Sequence, residues 1–209
     1  KAVSATSLLL NGLATPDEIP SQTSQSGKFL TTDGSAASWG TVAGGWVPID
    51  SVTASSSSSV LLEGITSDYD SYAISVNGID PSTNSYLMLR VKYNGTIQTS
   101  NYGYYIWYGS NNQYAGDYSE SSDAIYMCSS NAAPENTMSG MIYIAGTETG
   151  KKFASYSSIG GSTSTSQAVL NTGSGAFSSS SYAITGVQLR PNTGTFTSGS
   201  FTLYGLAKP

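Results

Sequence analysis

Asp117, Glu120 and Asp123, three residues apart each time in "GDYSESSDAIY", are the densest group of acids in this 209-residue chain. Two carboxylates suffice for glycoside hydrolysis, about 5–5.5 Å apart in a retaining pair and about 6.5–9.5 Å apart in an inverting one. Asp68 and Asp70 are the other acids that could complete such a pair. A Ca2+ loop is a second use of the same group, but the spacing lacks the central Gly and terminal Glu of that pattern. The plainer expectation is a solvated loop whose charges keep a tyrosine-rich patch in water. The chain has no His. That removes the usual general base, the commonest metal ligand and every Ser-His-Asp or Cys-His arrangement. Cys128 is the one cysteine, so there is no cystine framework. In "AIYMCSSN" it reads as a small buried apolar residue near a strand end. No GxxxxGK[ST] loop occurs, and no GxGxxG follows a strand. The sequence therefore implies a protein that is not an enzyme, with no cofactor and no metal.

The strongest binding signal is aromatic. "NYGYYIWYGSNNQYAGDYSE", residues 101–120, holds Tyr102, Tyr104, Tyr105, Trp107, Tyr108, Tyr114 and Tyr118, with Asn101, Asn111, Asn112 and Gln113 among them. No charge falls between Asn94 and Gly116. Tyr and Trp offer a flat apolar face and a polar tip, and Asn and Gln both donate and accept. That mixture suits carbohydrate rings, and it suits adaptable protein contacts as well. On a strand, alternate residues would part: Tyr104, Ile106 and Tyr108 on one side, Tyr105 and Trp107 on the other. One side is expected to be core. The other side, or the loop after it, is the candidate surface. The candidate ligand residues are Tyr102, Tyr104, Tyr105, Trp107, Tyr108, Asn111, Asn112, Tyr114 and Tyr118. Asn94-Gly95-Thr96 fits a glycosylation sequon, but a tight turn accounts for the same residues.

Composition limits what could position these groups. Charged residues are 10% of the chain and hydrophobic residues 38%, against about 25% charged in typical soluble domains. From Phe153 to Leu189 no side chain is charged. Hydroxyls and amides, not ions, must keep such a surface in water. Fifteen Tyr, five Phe and three Trp can supply a substantial core, and low charge argues against ordinary disorder. Net charge is −5, with Lys and Arg few and scattered. No basic stripe exists to neutralise phosphates, so no nucleic-acid partner is expected. The longest apolar run, "LLL" at 8–10, is too short for membrane insertion. "KAVSATSLLLNG" shows no signal-peptide pattern, and a start at Lys1 reads as a fragment or a processed product.

Two regions follow. Residues 1–45 read as an extended N-terminal arm and connector, with one helical turn at Thr15–Glu18. A hairpin is expected about Asp33-Gly34, between "KFLTT" and "AASWG". The arm is too poor in apolar groups to fold alone. Phe29, Leu30 and Trp39 are its expected docking contacts. Residues 46–209 read as short strands at 46–53, 58–64, 72–78, 85–93, 96–99, 103–108, 124–128, 138–145, 152–158, 166–171, 182–190 and 199–206. "YLMLRVKY" alternates in part, with Leu87, Leu89, Val91 and Tyr93 on one face. "SFTLYGLA" places Phe201, Leu203 and Gly205 on one face and Thr202, Tyr204 and Leu206 on the other. Asn94-Gly95 is a two-residue hairpin turn. The serine runs at 55–59 and 178–181 are expected to be loops at the ends of the domain. No apolar period of 3.6 is sustained and no fixed repeat occurs. The expected class is all-β: an antiparallel, jelly-roll-like β-sandwich behind an extended arm. Period alone leaves other sandwich topologies open.

"GKFLTTDGSAASWGTV" resembles a segment that recurs in bacteriophage fibre and tail proteins, where "x-h-L-T-T-D-G" (h apolar) is followed by small residues and a Trp. The matching residues are Gly27, Leu30, Thr31, Thr32, Asp33, Gly34, Ser38 and Trp39. "TSGSFTLYGLAK", 197–208, resembles the closing strand of the sandwich domains in such proteins, and 72–91 resembles an early hairpin. The three stretches cover about a third of the chain. The resemblance implies a non-enzymatic virion protein on the exterior of the phage particle. It also implies a homotrimer in which three copies bury Phe29, Leu30 and Trp39, and an arm that contacts other virion proteins. The leading expectation is a fibre whose C-terminal domain recognises a host-surface glycan or protein. A capsid decoration protein or head fibre is the alternative, and a glycan-degrading tailspike the third.

Overall fold

The computed structural model describes residues 28–32, 35–40, 45–110, 113–132, 137–150, 152–162, 168–179 and 181–207, with 21, 23 and 25. The chain divides into two compact units, Lys1–Gly44 and Gly45–Pro209. In the first, β1 (Phe29–Thr32) and β2 (Ala37–Gly40) pair antiparallel, with Leu30 opposite Trp39. Phe29 and Leu30 are exposed. The expected helical turn at Thr15–Glu18 and the Asp33-Gly34 turn itself lie outside the described residues.

Among the described residues the second unit has thirteen strands: β3 (Trp46–Ser57), β4 (Val60–Glu63), β5 (Tyr69–Pro81), β6 (Ser85–Tyr93), β7 (Thr96–Ile97), β8 (Tyr102–Ser110), β9 (Gln113–Ser122), β10 (Ile125–Ala132), β11 (Met138–Ala145), β12 (Phe153–Ser162), β13 (Ala168–Phe177), β14 (Gly186–Pro191) and β15 (Phe196–Ala207). An eight-stranded sheet runs β3-β15-β5-β11-β12-β13-β8-β9, and a smaller sheet runs β10-β6-β14-β4 with β7 on β6. Four antiparallel pairs nest inside one another: β3 with β15, β4 with β14, β5 with β11, and β6 with β10. The first and third lie in one sheet, the second and fourth in the other. That wiring is a jelly roll, so the topology that period left open is settled by pairing. Two insertions, β7–β9 between β6 and β10 and β12–β13 between β11 and β14, supply the strands β12, β13, β8 and β9 that extend the larger sheet on one side, while β7 stays on β6.

The layers close over a single apolar core. Leu62, Leu89, Ile125 and Val187 of the smaller sheet pack with Ile74, Ile142, Phe177 and Phe201 of the larger. Alternation does this work in β15, where Phe201, Leu203 and Gly205 are buried while Thr202, Tyr204 and Leu206 stand half-buried on the other face. β6 is covered on both faces: Leu87, Leu89 and Val91 are buried, and so are Met88 and Arg90 between them. Asn94 (φ 48°) and Gly95 (φ 75°) make the expected two-residue turn, with Tyr93 opposite Thr96. Both positive φ values match the turn type whose twist suits a hairpin.

Several boundaries differ from expectation. Residues 113–122, expected as a loop, form the edge strand β9. Its side chains are polar and charged because an edge is guarded from pairing with other chains by such groups. β12 and β13 run further than expected through Ser and Gly, since β13 needs glycine where the neighbouring layer approaches. β14 starts at Gly186 rather than 182. Ser55–Ser57 finish β3 instead of forming a loop.

Candidate functional site

β8 sorts the aromatic stretch as a strand must. Tyr102 and Ile106 are fully buried. The Tyr102 hydroxyl accepts from Val91 N at 2.9 Å and donates to Gln98 O at 3.1 Å. Burial holds its phenol well above the ordinary value. Tyr102 is therefore core, with no surface to offer a ligand. Tyr104 and Tyr108 are half-buried on the same side. The Tyr104 ring packs on Tyr126 with centroids 4.6 Å apart, and its hydroxyl donates to Asp117 Oδ2 at 3.3 Å. Burial first, and then the Asp117 charge, push the Tyr104 phenol up. Tyr105, Trp107 and Tyr118 are exposed on the opposite, outer side. Asn111, Asn112 and the side chain of Tyr114 lie outside the described residues.

The outer side gains residues that one stretch of sequence could not supply. Tyr143 on β11 stands opposite Tyr156 on β12, Tyr156 opposite Ser174 on β13, Ser174 opposite Tyr105 on β8, and Tyr105 opposite Tyr118 on β9. In the other direction Tyr143 faces Ala73 on β5, and Ala73 faces Tyr204 on β15. One transverse row thus crosses the sheet, with four exposed tyrosines in five adjacent strands. At strand spacing, Tyr143 to Tyr118 spans roughly 19 Å.

The row is ordered by its own contacts. Tyr143 and Tyr156 stack, with centroids 6.4 Å apart and planes at 23°. Thr172 Oγ1 donates to the Tyr156 hydroxyl at 3.2 Å. Tyr105 and Trp107 meet edge to face at 5.9 Å, and Trp107 lies opposite Gly116. Trp46 at the far edge strand leans over β15 and β5 to within 6.3 Å of Tyr143.

Two troughs open on this face. One, of about 320 Å³, is walled by Trp46, Tyr143 and Tyr156 and floored in part by Ala145 and Ala154. The other, of about 190 Å³, is walled by Tyr105, Trp107 and Tyr156, with Thr172 and Ser174 between them. Tyr156 is common to both. Neither is lined by a carboxylate. β8, β11, β12 and β13 contain no charged residue at all.

Comparison with protein-family models, with curated proteins and with solved structures finds no match to this chain. The site is thus read from its own geometry.

The acids do not gather on it. Asp117 takes the Tyr104 hydroxyl. Asp123 pairs with Arg90, whose Nε also donates to Asp123 O at 3.0 Å. Asp68 Oδ2 accepts from Thr66 Oγ1 at 2.9 Å. Among the described residues no three His, Cys, Asp or Glu stand together to hold a metal, and no helix is long and apolar enough to cross a membrane. Cys128 is fully buried on β10, with Leu87 N donating to its sulfur at 3.4 Å. Burial pushes the thiol up to about 12.

Trp46, Tyr143, Tyr156 and Thr172 escaped the sequence reading. Each is a single residue in an ordinary strand. The one signal for them was the uncharged stretch after Phe153, which contains Tyr156 and Thr172.

Proposed function

We propose that this chain is a fibre-type structural protein of a phage virion, and that its jelly roll recognises a host-surface glycan through the outer face of the eight-stranded sheet. The observation that carries the reading is the row of exposed aromatics across β11, β12, β13, β8 and β9, the first four of which carry no charge. Aromatic faces cover the apolar faces of sugar rings, and tyrosine, threonine and serine hydroxyls meet the ring edges. The fibre assignment rests on the connector-like segment at 27–39. Its role is adhesion and not turnover: no carboxylate lines either trough, and the chain has no His. The β1–β2 hairpin supports a homotrimer, since two four-residue strands are not stable alone and Phe29 and Leu30 are exposed. Packing of three copies would cover them. The arm would join the trimer to other proteins of the particle.

Adsorption to host cells and binding to a glycan array test this, with the intact chain and with Trp107→Ala and Tyr105→Ala. Loss of both signals in the variants is expected. Unaltered adsorption by both variants overturns the recognition role, and retained adsorption without glycan binding assigns the face to a protein receptor instead. Microscopy of labelled particles should place the chain on a fibre; a position on the capsid lattice overturns the fibre assignment.

A further inference from the structure

Resting on the glycan reading above, we infer that the ligand is a neutral, unbranched glycan laid across the strands, filling both troughs with Tyr156 as their shared wall. Three features define it. The first is charge. The four strands β8, β11, β12 and β13 carry no cation to pair with a uronate, sialate or sulfate group. β9, at one end of the row, carries Asp117 and Glu120, which repel an acidic chain. The second is direction. Within these inner strands the backbone donors and acceptors are consumed by pairing, so polar contacts must come from side-chain hydroxyls. Those of Tyr143, Tyr156 and Tyr105 follow one another across the strands, with Thr172 beside Tyr156. A hydroxyl both donates and accepts, which matches neutral sugar hydroxyls in either orientation.

The third is length. A pyranose chain advances by roughly one strand spacing per ring, so the span from Tyr143 to Tyr118 holds about four rings. Trp46 extends the row past Tyr143 and closes the larger trough. Tyr156 is fixed from both sides, by stacking on Tyr143 and by the Thr172 hydrogen bond. A ring on either side therefore meets a wall that is already in place.

The test titrates the intact protein with linear oligosaccharides of two, four and six rings. The neutral set is built from glucose, mannose, galactose and N-acetylglucosamine, the acidic set is oligogalacturonate, and both are run at low and high salt. A neutral ligand is expected to gain about tenfold or more in affinity between two and four rings, to level off by six, and to show no salt dependence. Tyr156→Ala should abolish the gain with length, and Trp46→Ala should weaken six rings more than two. Circular dichroism of each variant checks that it folds. Affinity independent of length, or binding to oligogalacturonate that weakens with salt, overturns this inference and leaves glycan recognition standing. Binding to none of the sugars overturns both.

Discussion

Gly175 on β13 faces Ile125 on β10 so closely that a Cβ on the glycine would stand 2.1 Å from Ile125 Cγ2. β10 is the edge of the smaller sheet, and β13 is one of the inserted strands that carry the aromatic row. The missing side chain is what lets the two layers meet there.

Gly175→Ala should therefore destabilise the fold. Overpacking a closed core costs about 1–3 kcal/mol, and the substitution falls between backbone and a fully buried isoleucine. Urea denaturation measures it as a lower midpoint with an unchanged slope. An unchanged midpoint would mean that the layers part easily at this point.

Phe201 and Leu203 announced their strand by alternating with Thr202 and Tyr204, and Leu87, Leu89 and Val91 by recurring at every second residue, although Met88 and Arg90 between them are buried too. The jelly-roll class followed from many such runs with turns between them. Strand order did not, because β4 meets β14 and β3 meets β15 across more than a hundred residues. β9 was missed since its alternation is between polar groups, and an edge strand has little to bury. The candidate face was half legible. Tyr105, Trp107 and Tyr118 sit in one conspicuous stretch. Tyr143 and Tyr156 join them only through register, which no local pattern records. Alternation parted Tyr104 from Tyr105 and Trp107 in the sequence, but which of the two sides was core is decided by the smaller sheet packing over Tyr102 and Ile106.

Tyr102→Phe should cost stability without touching the outer face. The hydroxyl is the partner of Val91 N inside the core. Its loss leaves that N–H unsatisfied, at about 1–3 kcal/mol. Calorimetry should show a lower Tm, while glycan binding by the folded variant stays at the wild-type level. Equal loss of binding would place Tyr102 in the site after all.

Trp107→Ala should behave in the opposite way. The ring is 47% exposed and lies over a glycine, so truncation leaves no cavity. Changes at such surface positions usually stay within about 0.5 kcal/mol. An unaltered urea midpoint together with lost adsorption separates a contact residue from a structural one. A large fall in midpoint would show that the row holds the sheet together.

Alkaline pH should unfold the domain through groups that the fold keeps protonated. Cys128 has its thiol raised to about 12 by burial, against about 8.5 in an unfolded chain. A raised value means that the folded state holds a proton which the unfolded state releases. That contribution is complete below about pH 8.5 and drains away as pH climbs toward the folded value, at up to about 1.4 kcal/mol per pH unit. Tyr72, Tyr102, Tyr104 and Tyr126 are raised above 10 in the same sense, chiefly by burial, so they join only at higher pH. Urea midpoints between pH 7 and 9 isolate the cysteine, because tyrosines with an ordinary value of about 10 are still almost wholly protonated in the unfolded chain there. Wild type should lose stability from about pH 8.5 onward, and Cys128→Ala should stay level over that interval whatever its absolute stability. A wild-type midpoint that holds level to pH 9 would mean that the thiol ionises without resistance from the core.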